Sequence, residues 1–222
     1  MIDMDAQELA AAEQQWLDIW ARGPQRVRWD RIPLQVGDRA PDLELLDHTG
    51  MPTRVSSLWG DGPAVILFWR HFGCSCGRDR ASRLGTEYAG LVELGATVTI
   101  IGQAAPERSR AYRDQNDIPC VILSDPDETA YRAFDVLEGT TAQVLFDASD
   151  ELLACALPAG IELAASRHGT VKATVDNPFL LPAEFVVTDG IVQLAYRYQY
   201  CEDFPDPRVL TAAVRFGGAP VV

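Results

Sequence analysis

Cys74 and Cys76 stand two residues apart in the stretch Phe68-Trp69-Arg70-His71-Phe72-Gly73-Cys74-Ser75-Cys76-Gly77-Arg78. The apolar run Ala64–Trp69, bounded by Gly62-Pro63, predicts a central strand buried on both faces, and Ala81, Leu84, Tyr88 and Leu91 recur at helical spacing behind it. The two cysteines therefore fall where a strand ends and a helix begins. A thiolate there is stabilised by unpaired backbone N–H groups and the positive end of the helix dipole, and Arg70 and Arg78 add positive charge. Buried filler cysteines seldom gather beside two arginines at such a junction. A disulfide between residues two apart is feasible, because their α-carbons can come within about 4.4–6.8 Å, and it is expected to be easily reduced. His71, three residues before Cys74, is a candidate base or cation.

Composition narrows the chemistry. The 222-residue chain carries 32 acidic and 19 basic residues, a net charge of −13, which opposes binding to nucleic acid or to an anionic membrane surface. The first residues are acidic where a targeting segment would be basic, and no apolar run reaches membrane-spanning length, so the cytoplasm is the expected location. In that reducing compartment Cys74, Cys76, Cys120, Cys155 and Cys201 are not expected to form a structural disulfide framework. Their chemistry should be catalytic, redox-sensing or metal-binding, with Cys120 and Cys155 read as packing residues.

The elements that must position the pair follow from periodicity. Residues 1–35 read as an N-terminal helix and linker: a helix over about 6–22, with Asp5 and Glu8 as a capping box and Gly23-Pro24 as its stop. Its apolar face is expected to pack on its own domain, with a homodimer contact or a lid as the competing readings. Residues 36–222 read as one domain with an insertion at about 137–175. Within it, strands over 42–46, 64–69, 96–102 and 120–123 alternate with helices after Cys74, over 106–115 and over 128–134, which implies parallel βαβ pairing. Gln143–Phe146 reads as strand-like and Ile161–Arg167 as helix-like. A hairpin follows over 184–198, turning at Thr188-Asp189-Gly190, and a helix over 207–216 ends the fold.

These residues resemble the thioredoxin fold, and within it the alkyl hydroperoxide reductase/thiol-specific antioxidant family, the peroxiredoxins and their relatives. The resemblance runs through Val36-Gly37-Asp38-Arg39-Ala40-Pro41-Asp42, the Phe-Trp strand and its cysteines, the stretch Ile118 to Asp127 with Ser124-Asp125-Pro126, and Leu181-Pro182 with Phe185-Val186-Val187. The fold it implies is α/β and thioredoxin-like, a central mixed sheet flanked by helices, with an N-terminal helical extension. Two departures bear on activity. The family's proline and Thr/Ser ahead of the peroxidatic cysteine are Leu67 and His71 counted from Cys74, and Trp69 and Gly73 counted from Cys76. The family's active-site arginine before the last hairpin aligns with Pro182, which is similar to the cis-proline of thioredoxins, so the Leu181–Pro182 bond is expected cis and packed on the cysteine loop. A peroxiredoxin-like subgroup with Arg-x-x-Gly-Cys-x-x-Cys matches at Arg70, Gly73 and Cys74, but its second cysteine falls at Gly77.

The fold's topology returns the second hairpin strand to the edge that carries the pair, which brings Cys201 there. Period-two alternation would put Arg197 and Cys201 on one face and Tyr196, Tyr198 and Tyr200 on the other. The resemblance then implies thiol-based redox chemistry on a disulfide, a peroxide or a related small molecule. Cys74 attacks and Cys76 or Cys201 resolves; Arg70, His71, Gly73, Ser75, Arg78, Leu181, Pro182 and Arg197 support the site. No cofactor is expected, the electron donor is a thioredoxin-like protein or a low-molecular-weight thiol, and exchange with disulfides is favoured over fast peroxide reduction. The competing readings are a metal or iron–sulfur module on Cys74, Cys76 and Cys201 with His71 or an outside ligand, and a non-catalytic scaffold.

Overall fold

A computed structural model describes residues 6–145 and 176–217. In chain order the elements are α1 (Ala6–Arg22), β1 (Glu44–Asp47), β2 (Pro52–Arg54), a 3-10 turn (Val55–Trp59), β3 (Ala64–Phe68), α2 (Ser75–Glu93), β4 (Thr97–Gly102), α3 (Pro106–Gln115), β5 (Val121–Ser124), α4 (Thr129–Ala133), α5 (Thr141–Leu145), β6 (Ala183–Thr188), β7 (Ile191–Arg197) and α6 (Pro207–Phe216). Seven strands form one sheet in the order β2-β1-β5-β4-β3-β6-β7. β3, β4 and β5 pair in parallel, as their helical crossovers require, while β1, β2, β6 and β7 pair antiparallel with their neighbours.

β3 sits inside the sheet with every residue buried. Ala64, Ile66 and Phe68 face a cluster with Tyr131, Phe134 and Phe185. Val65, Leu67 and Trp69 face the second cluster, packed under Ala81, Leu84 and Leu91 of α2, Tyr112 of α3, and Leu210 and Val214 of α6. Burial on both faces is why this strand reads as an unbroken apolar run. Phe68 touches Tyr131, Phe134 and Phe185 at centroid separations of 5.1, 5.1 and 5.7 Å. The Tyr131 hydroxyl donates to the Trp69 and Ile101 carbonyls at 2.6 and 3.0 Å, tying the ends of β3 and β4 together. The strand that carries the cysteines thus ends on a fixed floor.

The N-terminal segment lies on the same end of the domain. Trp20 of α1 packs edge-on against Phe179 at 4.8 Å. The buried Glu138 carboxylate accepts from the backbone N–H groups of Gln25 and Arg26 and from Asn177. Trp16 and Leu17 are exposed. The Asp5 cap, the helix expected over Ile161–Arg167 and Cys155 lie outside the described residues.

Three expectations are corrected. Thr141–Leu145 is helical where Gln143–Phe146 reads as a strand. The Thr140 hydroxyl and backbone N–H hydrogen-bond the Gln143 side chain, a local capping arrangement that starts a helix rather than a ladder. Among the described residues no peptide bond is cis, so Leu181–Pro182 is trans. The extended path there is set by bonds on either side, Leu181 N–H to Leu137 O at 3.0 Å and Tyr198 N–H to Pro182 O at 3.1 Å. The third concerns the end of β7. The strand stops at Arg197, and the chain turns over 199–203, where Gln199 N–H donates to the Asp203 carboxylate at 2.9 Å. Alternation therefore does not extend to Cys201, and Arg197 and Cys201 do not share a surface.

Candidate active site

Trp69 N–H continues the parallel ladder onto Ile101 O at 2.9 Å, and the chain then leaves the sheet. It turns over His71–Cys74, with Cys74 N–H donating to His71 O at 3.0 Å, and α2 starts at Ser75. Cys74 is the N-cap residue, in an extended conformation, and its side chain makes no capping hydrogen bond. Its sulfur is bonded to that of Cys76, with the two α-carbons 5.4 Å apart. Cys74 is half-buried and Cys76 buried, so the disulfide presents one sulfur outward and one inward.

Arg70 governs the outer sulfur. One guanidinium nitrogen lies 3.0 Å from Cys74 Sγ, a second donates to Leu180 O at 3.2 Å, and the third donates to Pro178 O. The side chain is 4% exposed. Burial lowers its pKa, opposed by its electrostatic interaction with Cys201 and Glu202, but the guanidinium remains a cation at any working pH. A thiolate released at Cys74 therefore meets a desolvated, fixed positive charge and the free N–H groups of the first helical turn.

The loop is clamped from above and beside. Phe72 N–H donates to the Asp176 carboxylate at 3.1 Å, and Arg108 grips the same carboxylate at 2.8 and 2.7 Å. The Phe72 ring stacks on Tyr112 at 4.1 Å, and the Tyr112 hydroxyl accepts from Trp69 Nε1 at 3.2 Å. Burial pushes Tyr112 up to about 12, so it remains a neutral phenol. A Cβ at Gly102 would lie 2.6 Å from Phe72 Cζ, so a larger residue there must displace the ring.

On the inward side, a pocket is lined by Trp69, Arg70, Cys76, Pro182, Tyr198 and Cys201 among others. Its floor is a buried charge cluster. Arg80 pairs with Glu184 at 2.8 Å and with Glu87 at 3.0 Å, and the Tyr198 hydroxyl donates to the Glu184 carboxylate at 2.5 Å. Burial works against the Arg80 charge, but Glu184 outweighs it and raises the pKa above the ordinary arginine value. Burial raises the Glu87 carboxyl, with Arg80 opposing.

Arg70, Cys74 and Cys76 are in contact, Gly73 lies in the turn before Cys74, and Pro182 and Cys201 line the pocket with Arg70 and Cys76. His71 contributes its carbonyl to the turn, and Ser75 opens the helix. Arg78 is exposed, its charge acting on Tyr112. Leu181 is buried and its backbone pairs with Leu137. Arg197 lies elsewhere. It donates to the carbonyls of Leu34, Phe134 and Asp135 at 2.9, 2.9 and 3.1 Å, and its guanidinium lies 5.0 Å from the Phe185 ring centre. Sequence reasoning missed Glu184, Arg80, Asp176 and Arg108. Among the described residues no group of three or more His, Cys, Asp or Glu side chains is placed to hold a metal ion, and the Cys74 and Cys76 sulfurs are joined to each other. Cys120 is a packing residue: burial pushes its thiol up to about 12.

Residues 36–194 match the model of the AhpC/TSA family. A chloroplastic thioredoxin-like protein of Arabidopsis thaliana is 28% identical over 104 residues, 47% of this chain and 42% of that protein. A Mycobacterium tuberculosis protein named as a peroxiredoxin is 28% identical over 115 residues, 50% of this chain and 73% of its own. The crystal structure of a peroxidoxin from Mycobacterium tuberculosis superposes with a TM-score of 0.56 at 20% identity, covering 84% of this chain and 99% of that one. The chain thus spans less than half of the plant relative. Among the described residues no helix is long and apolar enough to cross a membrane.

Proposed function

The chain belongs to the AhpC/TSA family, a peroxiredoxin-like group of thiol redox proteins, and from that premise we propose that it is a thiol–disulfide oxidoreductase working through Cys74 and Cys76. The observation that carries this reading is the contact of Arg70 with Cys74 Sγ at 3.0 Å, at the N-cap of α2 and beside the Cys74–Cys76 disulfide. In the reduced protein the Cys74 thiolate attacks one sulfur of a substrate disulfide and expels the other half as a thiolate. Cys76 then loses its proton and attacks Cys74 Sγ, releasing the second half of the substrate and closing the disulfide. Two electrons pass from the pair to the substrate, and an external thiol returns them: a thioredoxin-like protein or a low-molecular-weight thiol, as a reducing compartment such as the cytoplasm supplies.

Peroxide is the second reading, and Arg70 favours it too. The family's arginine position holds Pro182, but Arg70 reaches the same sulfur from four residues away in the sequence. The hydroxyl and proline of the peroxide-binding loop are still replaced by His71 and the buried Leu67, so part of the donor set that would stabilise the breaking O–O bond is missing. Peroxide reduction is therefore slow beside disulfide exchange.

Stopped-flow oxidation of the reduced protein, followed through Trp69 fluorescence, tests both. A rate with a model disulfide exceeding that with hydrogen peroxide supports the assignment. A peroxide rate near the roughly 10⁷ M⁻¹s⁻¹ of efficient enzymes would make it a peroxidase instead. A homodimer through α1 would cover Trp16 and Leu17, and light scattering tests it.

A further inference from the structure

The exchange described above uses Cys74 and Cys76 and leaves Cys201 idle, yet Cys201 and Cys76 line one pocket while Cys74 is not part of its wall. Cys76 is 4% exposed and Cys201 8% exposed, so a dissolved thiol meets Cys74 first and has little access to Cys76. The Cys201 thiol donates to Val144 O at 3.5 Å and to Gln143 O at 3.8 Å, and a thiol is a weak donor, so these two contacts cost little to give up. It lies in the turn after β7, outside the sheet ladder, where the chain can move without breaking strand pairing.

Resting on the Cys74–Cys76 reading, we infer that Cys201 is a third redox thiol that draws the disulfide inward from Cys74–Cys76 to Cys76–Cys201. The Cys201 thiol gives its proton to water, and its sulfur attacks Cys76 Sγ. The Cys76–Cys201 bond forms as the Cys74–Cys76 bond breaks, and the electron pair of the broken bond stays on Cys74 as a thiolate. No outside oxidant or reductant is consumed, since one disulfide replaces another. The direction follows from the leaving group. Arg70 acts on both sulfurs, but Cys74 leaves from a helix N-cap with the guanidinium 3.0 Å away while Cys201 lies in a turn, so the helix N-terminus tips the balance toward a Cys74 thiolate. The result is a protein that stores its oxidised state between two buried sulfurs while its outer thiolate is restored.

Mapping the cysteine connections in time tests this. The reduced full chain receives one equivalent of diamide, is quenched in acid at intervals, alkylated, digested and read by mass spectrometry. The expected course is Cys74–Cys76 first, then its decline as Cys76–Cys201 rises, with Cys74 again alkylatable in more than about half of the molecules, the share that equal potentials would give. In Cys201→Ser the Cys74–Cys76 bond persists and Cys74 stays unlabelled. Persistence of Cys74–Cys76 to equilibrium in the unaltered protein, with Cys201 alkylated, overturns the migration alone. Return of Cys74 labelling in Cys201→Ser overturns the role of Cys201. Absence of Cys74 from every disulfide overturns the underlying oxidoreductase reading as well.

Discussion

Replacing Arg70 by Met removes the fixed charge beside Cys74 while keeping a side chain of similar length. Arg70 has one nitrogen 3.0 Å from Cys74 Sγ and is almost wholly buried, so solvent does little to screen it. A hydrogen bond to a charged group contributes about 1.5–3 kcal/mol, and at about 1.36 kcal/mol per unit its loss should raise the pH midpoint of Cys74 alkylation by about 1–2 units. The variant also strands the carbonyls of Leu180 and Pro178, each buried acceptor costing about 1–3 kcal/mol. Alkylation is accordingly measured by iodoacetamide labelling and mass spectrometry at a temperature where near-ultraviolet circular dichroism shows the variant folded. Arg70→Lys keeps a charge without the planar fork, and its midpoint should fall between the two. An unchanged midpoint in a folded Arg70→Met protein would refute the argument that this guanidinium activates Cys74.

Other expectations concern the scaffold. Cys120 should resist alkylation in the folded protein up to about pH 10; because burial moves its thiol from 9.0 to about 12, its stabilising contribution is present below pH 9 and is lost as pH rises toward 12, and thermal melts of Cys120→Ala should decline less over that window. Gly102→Ala forces Phe72 off its stacked position; denaturant unfolding should show a loss of about 1–3 kcal/mol, and normal stability would mean the ring has room to shift. Glu184→Gln breaks the buried pair with Arg80, whose side chains are 7% and 2% exposed, and should cost about 3 kcal/mol, the lower end for such losses because Glu87 still partners Arg80; a neutral result in urea unfolding would show the pair to be dispensable.

Local signals made much of this fold legible. α3 and α6 occur at the bounds that Pro106, Pro207 and the apolar spacing suggest, and Asp206 caps α6 by accepting from Arg208 N–H at 2.9 Å. The cysteine junction was readable because β3 is buried on both faces and its sequence shows it. β2 escaped notice, being three residues long and beginning with proline, a residue seldom found within strands. Alternation cannot relate Cys201 to Arg197, because the ladder ends at Arg197 and only hydrogen bonding shows where it ends. The Arg80–Glu184 pair spans 104 residues, which no spacing rule reaches. A signal did exist: Glu184 stands in the run Ala183 to Val187, every member of which is buried, and a charge so placed must find a partner. Asp176 gives no such sign, since its role depends on where the chain arrives beside Phe72.

Two of the groups that hold Arg70 in place are main-chain oxygens, those of Pro178 and Leu180. Every residue type carries such an oxygen, so the side chains at those two positions can vary without deleting the anchor. What cannot vary freely is the route of the backbone, since one residue inserted or removed between Asp176 and the start of β6 would rotate both acceptors away from the guanidinium. The orientation of the cation beside Cys74 is therefore written in chain length more than in residue identity. A survey of variants should find this stretch intolerant of gaps, with point substitutions there limited by the burial of Phe179 and Leu180 and not by the anchor itself.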